Sequence, residues 1–306
     1  MDSFLTLSNL FKQFQSFNQI IPAAYLKSAT LNSYDQIRVK MKYTAGIDIG
    51  TAYSKGVIIS NGNMLSACML PSGRNFNAAA KKVMDKALDL AKLSPSDICS
   101  IGATGHGAKN VPFADEVISD LICAAKAVFL LFPSVVTIVD IGALSSRAMR
   151  LSENGALAKF IFSGKCAGGS GKILQVIARV LDVKLSEVGT LSLKSKNRVE
   201  FNTGCAVFME SEAVSRVAEG ASREDLLAGL HHALASQICS LAERVEMEKD
   251  YLLIGGGAQD QGLVKAVNDV TGKNFMIPDN PQLIAAFGAA LIAEKNNDFS
   301  KKGMEK

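Results

Sequence analysis

Thr44-Ala45-Gly46-Ile47-Asp48-Ile49-Gly50-Thr51-Ala52-Tyr53-Ser54-Lys55-Gly56-Val57-Ile58-Ile59 places two β-branched runs on either side of a Gly/Thr/Ser turn, the pattern of a β-hairpin. The loop offers backbone N–H groups, hydroxyls and one lysine to an anion, and phosphate is the obvious guest. Asp48, at the end of the first strand, would repel that anion unless a divalent cation lay between them. A carboxylate linked to Mg²⁺ is the consistent role; a plain tight turn is the alternative reading of the same residues. The pattern then returns. Val135-Val136-Thr137-Ile138-Val139-Asp140-Ile141-Gly142-Ala143 is again an apolar run ending in Asp-Ile-Gly, followed by Arg147 and a strand-like run from Ala148 to Leu151. Residues 47–50 and 139–142 read as matching positions of a duplicated unit, two halves facing each other across a cleft that could hold a nucleotide's phosphates and metal. A third cluster, Tyr251-Leu252-Leu253-Ile254-Gly255-Gly256-Gly257-Ala258-Gln259, lets backbone lie close against a flat ligand such as adenosine.

Two cysteines stand in a different setting. Cys166 lies in Lys165-Cys166-Ala167-Gly168-Gly169-Ser170-Gly171, and Cys205 in Thr203-Gly204-Cys205-Ala206-Val207-Phe208, each ahead of a helical run. A helix N-terminus favours a thiolate, and small neighbours let a bulky inorganic group approach the backbone. Such a pair reads as half of a metal-cluster cage. Because a cubane commonly takes four thiolates, two per chain imply a cluster shared across a subunit interface; two buried structural cysteines are the other reading. Cys68, Cys99, Cys123 and Cys239 lack this setting and read as buried thiols. Glu210, on the first turn after Cys205, is a candidate for orienting a hydrolytic water, although an acidic residue is stabilising there in any case. His106 reads as an exposed loop histidine, and His231 and His232 as packing or surface residues of a helix.

The chain has 306 residues, 48% of them hydrophobic and 20% charged, with a formal net charge of +4. That length favours two domains. The charge is small and not gathered into a basic run, so nucleic acid is not implied. The six cysteines lack the density of a secreted disulfide scaffold, and no signal peptide is evident, which fits a reducing cytoplasm. The longest apolar stretch, 127–141, is broken by Pro133 and spans no bilayer. Near the start, Phe4, Leu7, Leu10, Phe11, Phe14 and Phe17 recur at helical spacing up to Pro22, an apolar stripe that needs a partner surface. A docking helix or a start site read too far upstream, before Met41, are the two simple readings; a membrane-surface helix or presequence is weakened by a scarcity of arginine.

Periodicity predicts two α/β domains. Strands near 43–49, 55–60, 64–70 and 98–103 with helices 76–92 and 116–131 make a first domain, 43–133. Strands 135–141, 147–152, 156–162, 251–255 and 274–276 with helices 170–181, 206–219, 223–247 and 260–271 make a second, 134–281. A terminal helix, 282–295, returns to the first; residues 1–42 are an extension and 296–306 a tail.

The three ordered glycine motifs resemble the phosphate-1, phosphate-2 and adenosine motifs of the acetate kinase, sugar kinase, Hsp70 and actin superfamily. With residues 164–171, 205–212, Pro281-Gln282 and Gly288-Ala289-Ala290-Leu291, residues 43–294 resemble the ATPase family of 2-hydroxyacyl-CoA dehydratase activators and benzoyl-CoA reductase ATPase subunits. The resemblance implies two RNase-H-like domains and an ATP-driven, low-potential electron donor. Its [4Fe–4S] cluster would be shared by two subunits through Cys166 and Cys205 of each. Gly50, Thr51, Ala52, Tyr53, Ser54 and Lys55 match the first phosphate loop, Gly142 the second, and Gly255, Gly256, Gly257 and Gln259 the adenosine side; Asp48 and Asp140 would serve Mg²⁺ and catalysis. Implied partners are a paralogous ATPase subunit or a second copy of the chain, acyl-CoA reductase or dehydratase catalytic subunits, and reduced ferredoxin or flavodoxin as donor. Dehydratase activators usually read Asp-Ile-Gly-Gly-Gln-Asp at the second motif, whereas this chain reads Asp140-Ile141-Gly142-Ala143-Leu144-Ser145-Ser146-Arg147. That favours the smaller benzoyl-CoA reductase ATPase subunit over a dehydratase activator. A small-molecule kinase of the same fold, with incidental cysteines, is the third reading.

Overall fold

The computed structural model describes residues 42–164, 169–201 and 206–303. The amino-terminal stripe, Cys166 and Cys205 lie outside the described residues. Residues from Lys42 onward form one compact unit around two five-stranded sheets.

The first sheet has the order β3-β2-β1-β4-β5, from β1 (Tyr43–Ile49), β2 (Tyr53–Ser60), β3 (Asn63–Pro71), β4 (Ile98–Thr104) and β5 (Glu116–Val117). The second has the order β10-β9-β6-β7-β8, from β6 (Thr137–Ile141), β7 (Ser146–Leu151), β8 (Leu157–Phe162), β9 (Tyr251–Ile254) and β10 (Phe275–Met276). Pairing is the same in both. The opening strand meets its hairpin partner antiparallel and the fourth strand parallel. The chain has therefore built one topology twice, as the repeated Asp-Ile-Gly signal implies. β1 is buried along almost its whole length, as a central strand covered on both faces is. β8, at an edge, alternates.

Helices α1 (Phe76–Ala91), α2 (Asp120–Leu131), α3 (Lys172–Val180), α4 (Val188–Ser192), α5 (Ala206–Ala218), α6 (Arg223–Glu243), α7 (Gln261–Thr271) and α8 (Ile284–Gly303) complete the unit. α1 begins where Asn75 Oδ1 accepts from Ala78 N at 3.0 Å and buries Ala79, Ala80, Val83, Met84, Ala87 and Leu88 on one face, the i, i+3, i+4 stripe of a helix lying on a sheet. α8 follows the second sheet in sequence but packs on the first. Gly46 and Gly102 give it room: a Cβ on either would fall against the α8 backbone, at the carbonyls of Ala286 and Ala289. At Gly288 α8 also crosses α2, where a Cβ would meet the Cys123 carbonyl. One apolar cluster joins the halves, uniting Val57 and Ile59 of the first sheet with Ile138, Met149 and Leu252 of the second around Leu121, Ala124, Phe287 and Ala290.

Three expectations are corrected. Residues 116–117 are strand β5 rather than the start of a helix; Val117 suits a strand, and the helix starts only past Ser119. α4 was not expected, because Gly189 and Thr190 are weak helix formers. Cys99 is exposed, whereas Cys123 and Cys239 are buried and Cys68 is half-buried; Cys99 stands on the outward-facing early part of β4. No described helix is long and apolar enough to cross a membrane.

Candidate functional site

The ends of β1 and β6 carry the site. In the first hairpin Asp48 stands opposite Lys55, and Lys55 Nζ donates to Asp48 Oδ2 at 2.9 Å. In the second, Asp140 stands opposite Arg147, and Arg147 Nη1 donates to Asp140 Oδ2 at 2.9 Å. Each aspartate thus takes its cation from seven residues further on, across the hairpin. The turns match as well: Gly50 N donates to Tyr53 O and Gly142 N to Ser145 O, both at 3.1 Å. A Cβ at either glycine would lie 2.6 Å from the accepting carbonyl oxygen, so only glycine leaves this turn intact.

The parallel neighbours repeat the symmetry. Gly105, after β4, has φ +86°, and Gly255, after β9, has φ +84°. A Cβ at Gly105 would strike Asp48 Oδ1 and one at Gly255 would strike Asp140 Oδ1. Both backbones lie directly on a carboxylate, in a conformation that side-chain-bearing residues rarely adopt. The glycine spacing of Gly105-His106-Gly107 is that of Gly255-Gly256-Gly257, a correspondence visible in the sequence but masked by the histidine. His106 itself is exposed, edge-on to Phe76 with ring centroids 6.1 Å apart.

Asp120 is the residue that sequence reading missed. It opens α2, and its Oδ2 is 2.8 Å from Arg147 Nη2, so Arg147 links carboxylates from α2 and from the second sheet. Arg147, Asp120 and Asp140 are 22%, 20% and 16% exposed at the side chain. Burial pushes the Asp140 carboxyl above its usual range, against the pull of Arg147, with Asp120 adding to the rise. Burial works to lower the Arg147 pKa, but Asp140, Asp120 and Asp48 outweigh it and hold the guanidinium above its ordinary value. Three carboxylates, Asp48, Asp120 and Asp140, thus act on two cations, Lys55 and Arg147. One negative charge is left unmatched. Among the described residues no three acidic, His or Cys side chains close into a metal cage of their own. The donor set fits a divalent cation held by one or two carboxylates and completed by water and phosphate oxygens, the habit of Mg²⁺.

The remaining expected residues divide. Thr51 and Ala52 are half-buried and Tyr53 is exposed at the first turn. The Ser54 hydroxyl instead pairs with Ser72 at 2.8 Å, and Ser72 Oγ donates to Gly50 O at 2.6 Å, so Ser54 braces the loop from behind. On the adenosine side, Gly255 N donates to Pro281 O at 2.9 Å, and Gln259 Oε1 accepts from Gln282 Nε2 at 2.8 Å. Gly256 is open, with only Gln282 Nε2 within reach of a Cβ, at 3.8 Å. Glu210 is exposed on α5 and shares no bond with the carboxylate cluster among the described residues.

The backbone beside Cys166 is tied to the second turn. Ser163 N donates to Ser146 O at 2.9 Å, and Ser146 N donates to Ser163 Oγ at 2.9 Å. Beyond Cys166, Ser146 Oγ donates to Gly169 O at 2.6 Å, Ser170 Oγ to Ala143 O at 3.1 Å, and Gly171 N to Gly142 O at 2.9 Å.

Known proteins match this arrangement over nearly all of it. The 2-hydroxyisocaproyl-CoA dehydratase activator of Clostridioides difficile is 38% identical over 260 residues, 85% of this chain and 98% of that protein. The solved structure of that activator with bound ADPNP superposes with a TM-score of 0.81 at 36% identity, covering 85% of this chain and 97% of that one. A benzoyl-CoA reductase subunit of Thauera aromatica is 32% identical, over 82% of this chain and 93% of that protein. Residues 45–293 match the family described as the BadF/BadG/BcrA/BcrD ATPase family, and the chain belongs to it.

Proposed function

We propose that the chain is an ATP-hydrolysing, electron-transferring activator of a 2-hydroxyacyl-CoA dehydratase. The observation that carries the ATP half is the pair of Asp-cation hairpins, Asp48–Lys55 and Asp140–Arg147, with one unmatched negative charge between them. Asp48 and Asp140 would hold Mg²⁺, which neutralises phosphate charge as the bond to the terminal phosphate breaks. The turns at Gly50 and Gly142 present backbone to the phosphates, and Gly255, Gly256, Gly257 and Gln259 form the base side. Lys55, the cation of the same hairpin, would pair with a phosphate oxygen of the bound nucleotide.

The electron half rests on Cys166 and Cys205 as two ligands of a [4Fe–4S] cluster completed by a second subunit. Ser146 and Gly142 bond to Ser163, Gly169 and Gly171, which flank Cys166 in sequence, so a shift of the phosphate turn would be felt at these residues. That gives hydrolysis a route by which to alter the cluster's surroundings. The second subunit is another copy of the chain or a paralogue, and the electron comes from a reduced ferredoxin or flavodoxin.

Identity favours the dehydratase acceptor, at 38% against 32%. The run Ala143-Leu144-Ser145-Ser146 favours the second reading, an ATPase subunit of a benzoyl-CoA reductase-like complex. The test is anaerobic purification with iron analysis and electron paramagnetic resonance, then ATP-dependent activation assays with purified dehydratase and reductase catalytic subunits. We expect close to four irons per dimer, lost in Cys166→Ser and in Cys205→Ser. Stoichiometric phosphoryl transfer to a sugar or carboxylate, undiminished in both cysteine variants, would overturn this proposal in favour of a kinase.

A further inference from the structure

We infer that His231 is a positioning residue for the base side of the nucleotide site, acting through Asp260 on the glycine turn 255–259; the inference rests on the ATP reading above. Asp260 ends that turn and starts α7. Its N–H donates to Gly257 O at 3.1 Å, and its Oδ1 accepts from Leu263 N at 3.0 Å. One residue closes the glycine turn and caps the helix behind it, so the direction of its carboxylate fixes both. The other oxygen, Oδ2, faces His231 Nε2 across 3.3 Å. That nitrogen is buried and makes no hydrogen bond among the described residues, so it meets Asp260 at ion-pair distance only.

His231 is in turn held from α4. Its Nδ1 lies 2.9 Å from Ser192 Oγ. The Ser192 hydroxyl donates to Gly189 O at 2.8 Å, so Nδ1 supplies the proton it shares with Ser192 Oγ. Nε2 is left facing the Asp260 carboxylate, with which it pairs when the ring is protonated. The knot has no slack. A Cβ at Gly189 would lie 2.5 Å from Asp260 Oδ1, and one at Gly262 would fall on the Ser192 hydroxyl and lie 2.6 Å from His231 Nδ1. Three helices, α4, α6 and α7, meet on these groups with only glycine between them.

Ser192, His231 and Asp260 have the composition of a hydrolytic triad, but their burial excludes that role: Ser192 is 6% and His231 1% exposed, and Gly262 covers the hydroxyl. What the network can do is hold a turn still. The turn's far side is tied to residues 281–282 through Gly255 and Gln259; His231 supplies the tie on the near side. The equivalent glycine turn of the first half, 105–107, runs into the 3₁₀ turn Ala108–Asn110 rather than a capped helix. The anchor thus belongs to the half that would take the base.

The test compares His231→Leu, His231→Gln and Ser192→Ala with the unaltered protein. Two probes are titrated, Mg-ATP and Mg-tripolyphosphate, which lacks the nucleoside. In His231→Leu the ATP Kd should rise about tenfold while the tripolyphosphate Kd stays within about twofold, since a lost buried polar contact acts locally on the turn it supports. His231→Gln, which puts an amide donor in place of the ring, should restore most of the affinity. Amide exchange should quicken at 255–263 and not at 50–54. Equal losses for both probes, or an unchanged ATP Kd alongside quickened exchange, would overturn the inference. Should the unaltered protein bind neither probe, the ATP reading fails by itself; quickened exchange in His231→Leu would then still support the mechanical link, and unchanged exchange would remove it. If His231→Leu does not fold, Ser192→Ala supplies the same comparison with a smaller expected shift.

Discussion

Arg147 Nη2 lies 2.8 Å from Asp120 Oδ2, a bond from a strand of the second sheet to the first turn of the helix that follows the first. The same guanidinium holds Asp140 at 2.9 Å. Removing it leaves two carboxylates facing each other with little water. Arg147→Ala should therefore cost roughly 3 kcal/mol of stability, read from urea unfolding. Arg147→Lys keeps the charge, but one ammonium cannot reproduce the fork that spans both acceptors, and it should fall between the two. An unfolding midpoint unchanged in Arg147→Ala would show that the bridge contributes nothing.

Asp48→Asn and Asp140→Asn should each lower Mg²⁺-dependent ATP hydrolysis by at least about tenfold, because each removes a carboxylate that positions the metal. The far-ultraviolet circular dichroism of both should match the parent. Hydrolysis at the parental rate in both variants would disprove the two-aspartate cleft.

Gly105→Ala and Gly255→Ala should behave as a matched pair. Each forces an L side chain into a positive φ and against an aspartate oxygen, which costs on the order of 1–3 kcal/mol from backbone strain before the clash is counted. Gly62→Ala, at φ +74° with nothing within reach of a Cβ, is the control and should lose less. Thermal unfolding ranks the three; parity with Gly62→Ala would remove the argument for close apposition.

Asp225 holds the stretch 195–197 to the start of α6 by accepting from Ser195 Oγ at 2.7 Å, Lys196 N at 3.0 Å and Asn197 N at 2.9 Å. The Ser195 hydroxyl, the Asn197 amide and the Ser222 hydroxyl keep its carboxyl well below the usual range. A depressed carboxyl stabilises the fold above its unfolded pKa, about 3.9, and that contribution disappears as pH falls through the folded value. The difference in Tm between the parent and Asp225→Asn should be largest near neutrality and shrink steadily below about pH 4. A difference that grows on acidification would contradict this.

Thiol accessibility separates the remaining cysteines. Burial pushes Cys123 up to about 12 and Cys68 and Cys239 to about 11, so their thiolates are scarce at pH 8, while Cys99 is exposed. Among these four, an aromatic disulfide reagent should label Cys99 first, and Cys99→Ser should abolish that fast phase. Its persistence would place the reactive thiol elsewhere.

The doubled sheet was legible because the repeat lies in consecutive residues: an apolar strand, Asp-Ile-Gly, and a cation seven positions after the aspartate. Asp120 was not, since a lone aspartate at a helix start looks like any other, and its partner is on a strand of the other sheet. Nor did the Ser54 hydroxyl announce that it would face Ser72 rather than the cleft, as strand alternation alone does not say which side of a hairpin loop meets a ligand. The His231 network was hidden for the same reason. Its members lie in α4, in α6 and at the cap of α7, and only Gly189 and Gly262 hint that the helices touch.

The exchange of α8 from the second sheet to the first sets the order in which the molecule can be finished. As the chain leaves the ribosome, β1, β2 and β4 can pair early, yet the groove at Gly46 and Gly102 that receives Ala286 and Ala289 waits until those residues have been made. Until then the first half carries an open apolar flank. Truncation before residue 284 would leave that flank bare for good, so the nascent protein is the form most exposed to aggregation and to capture by chaperones.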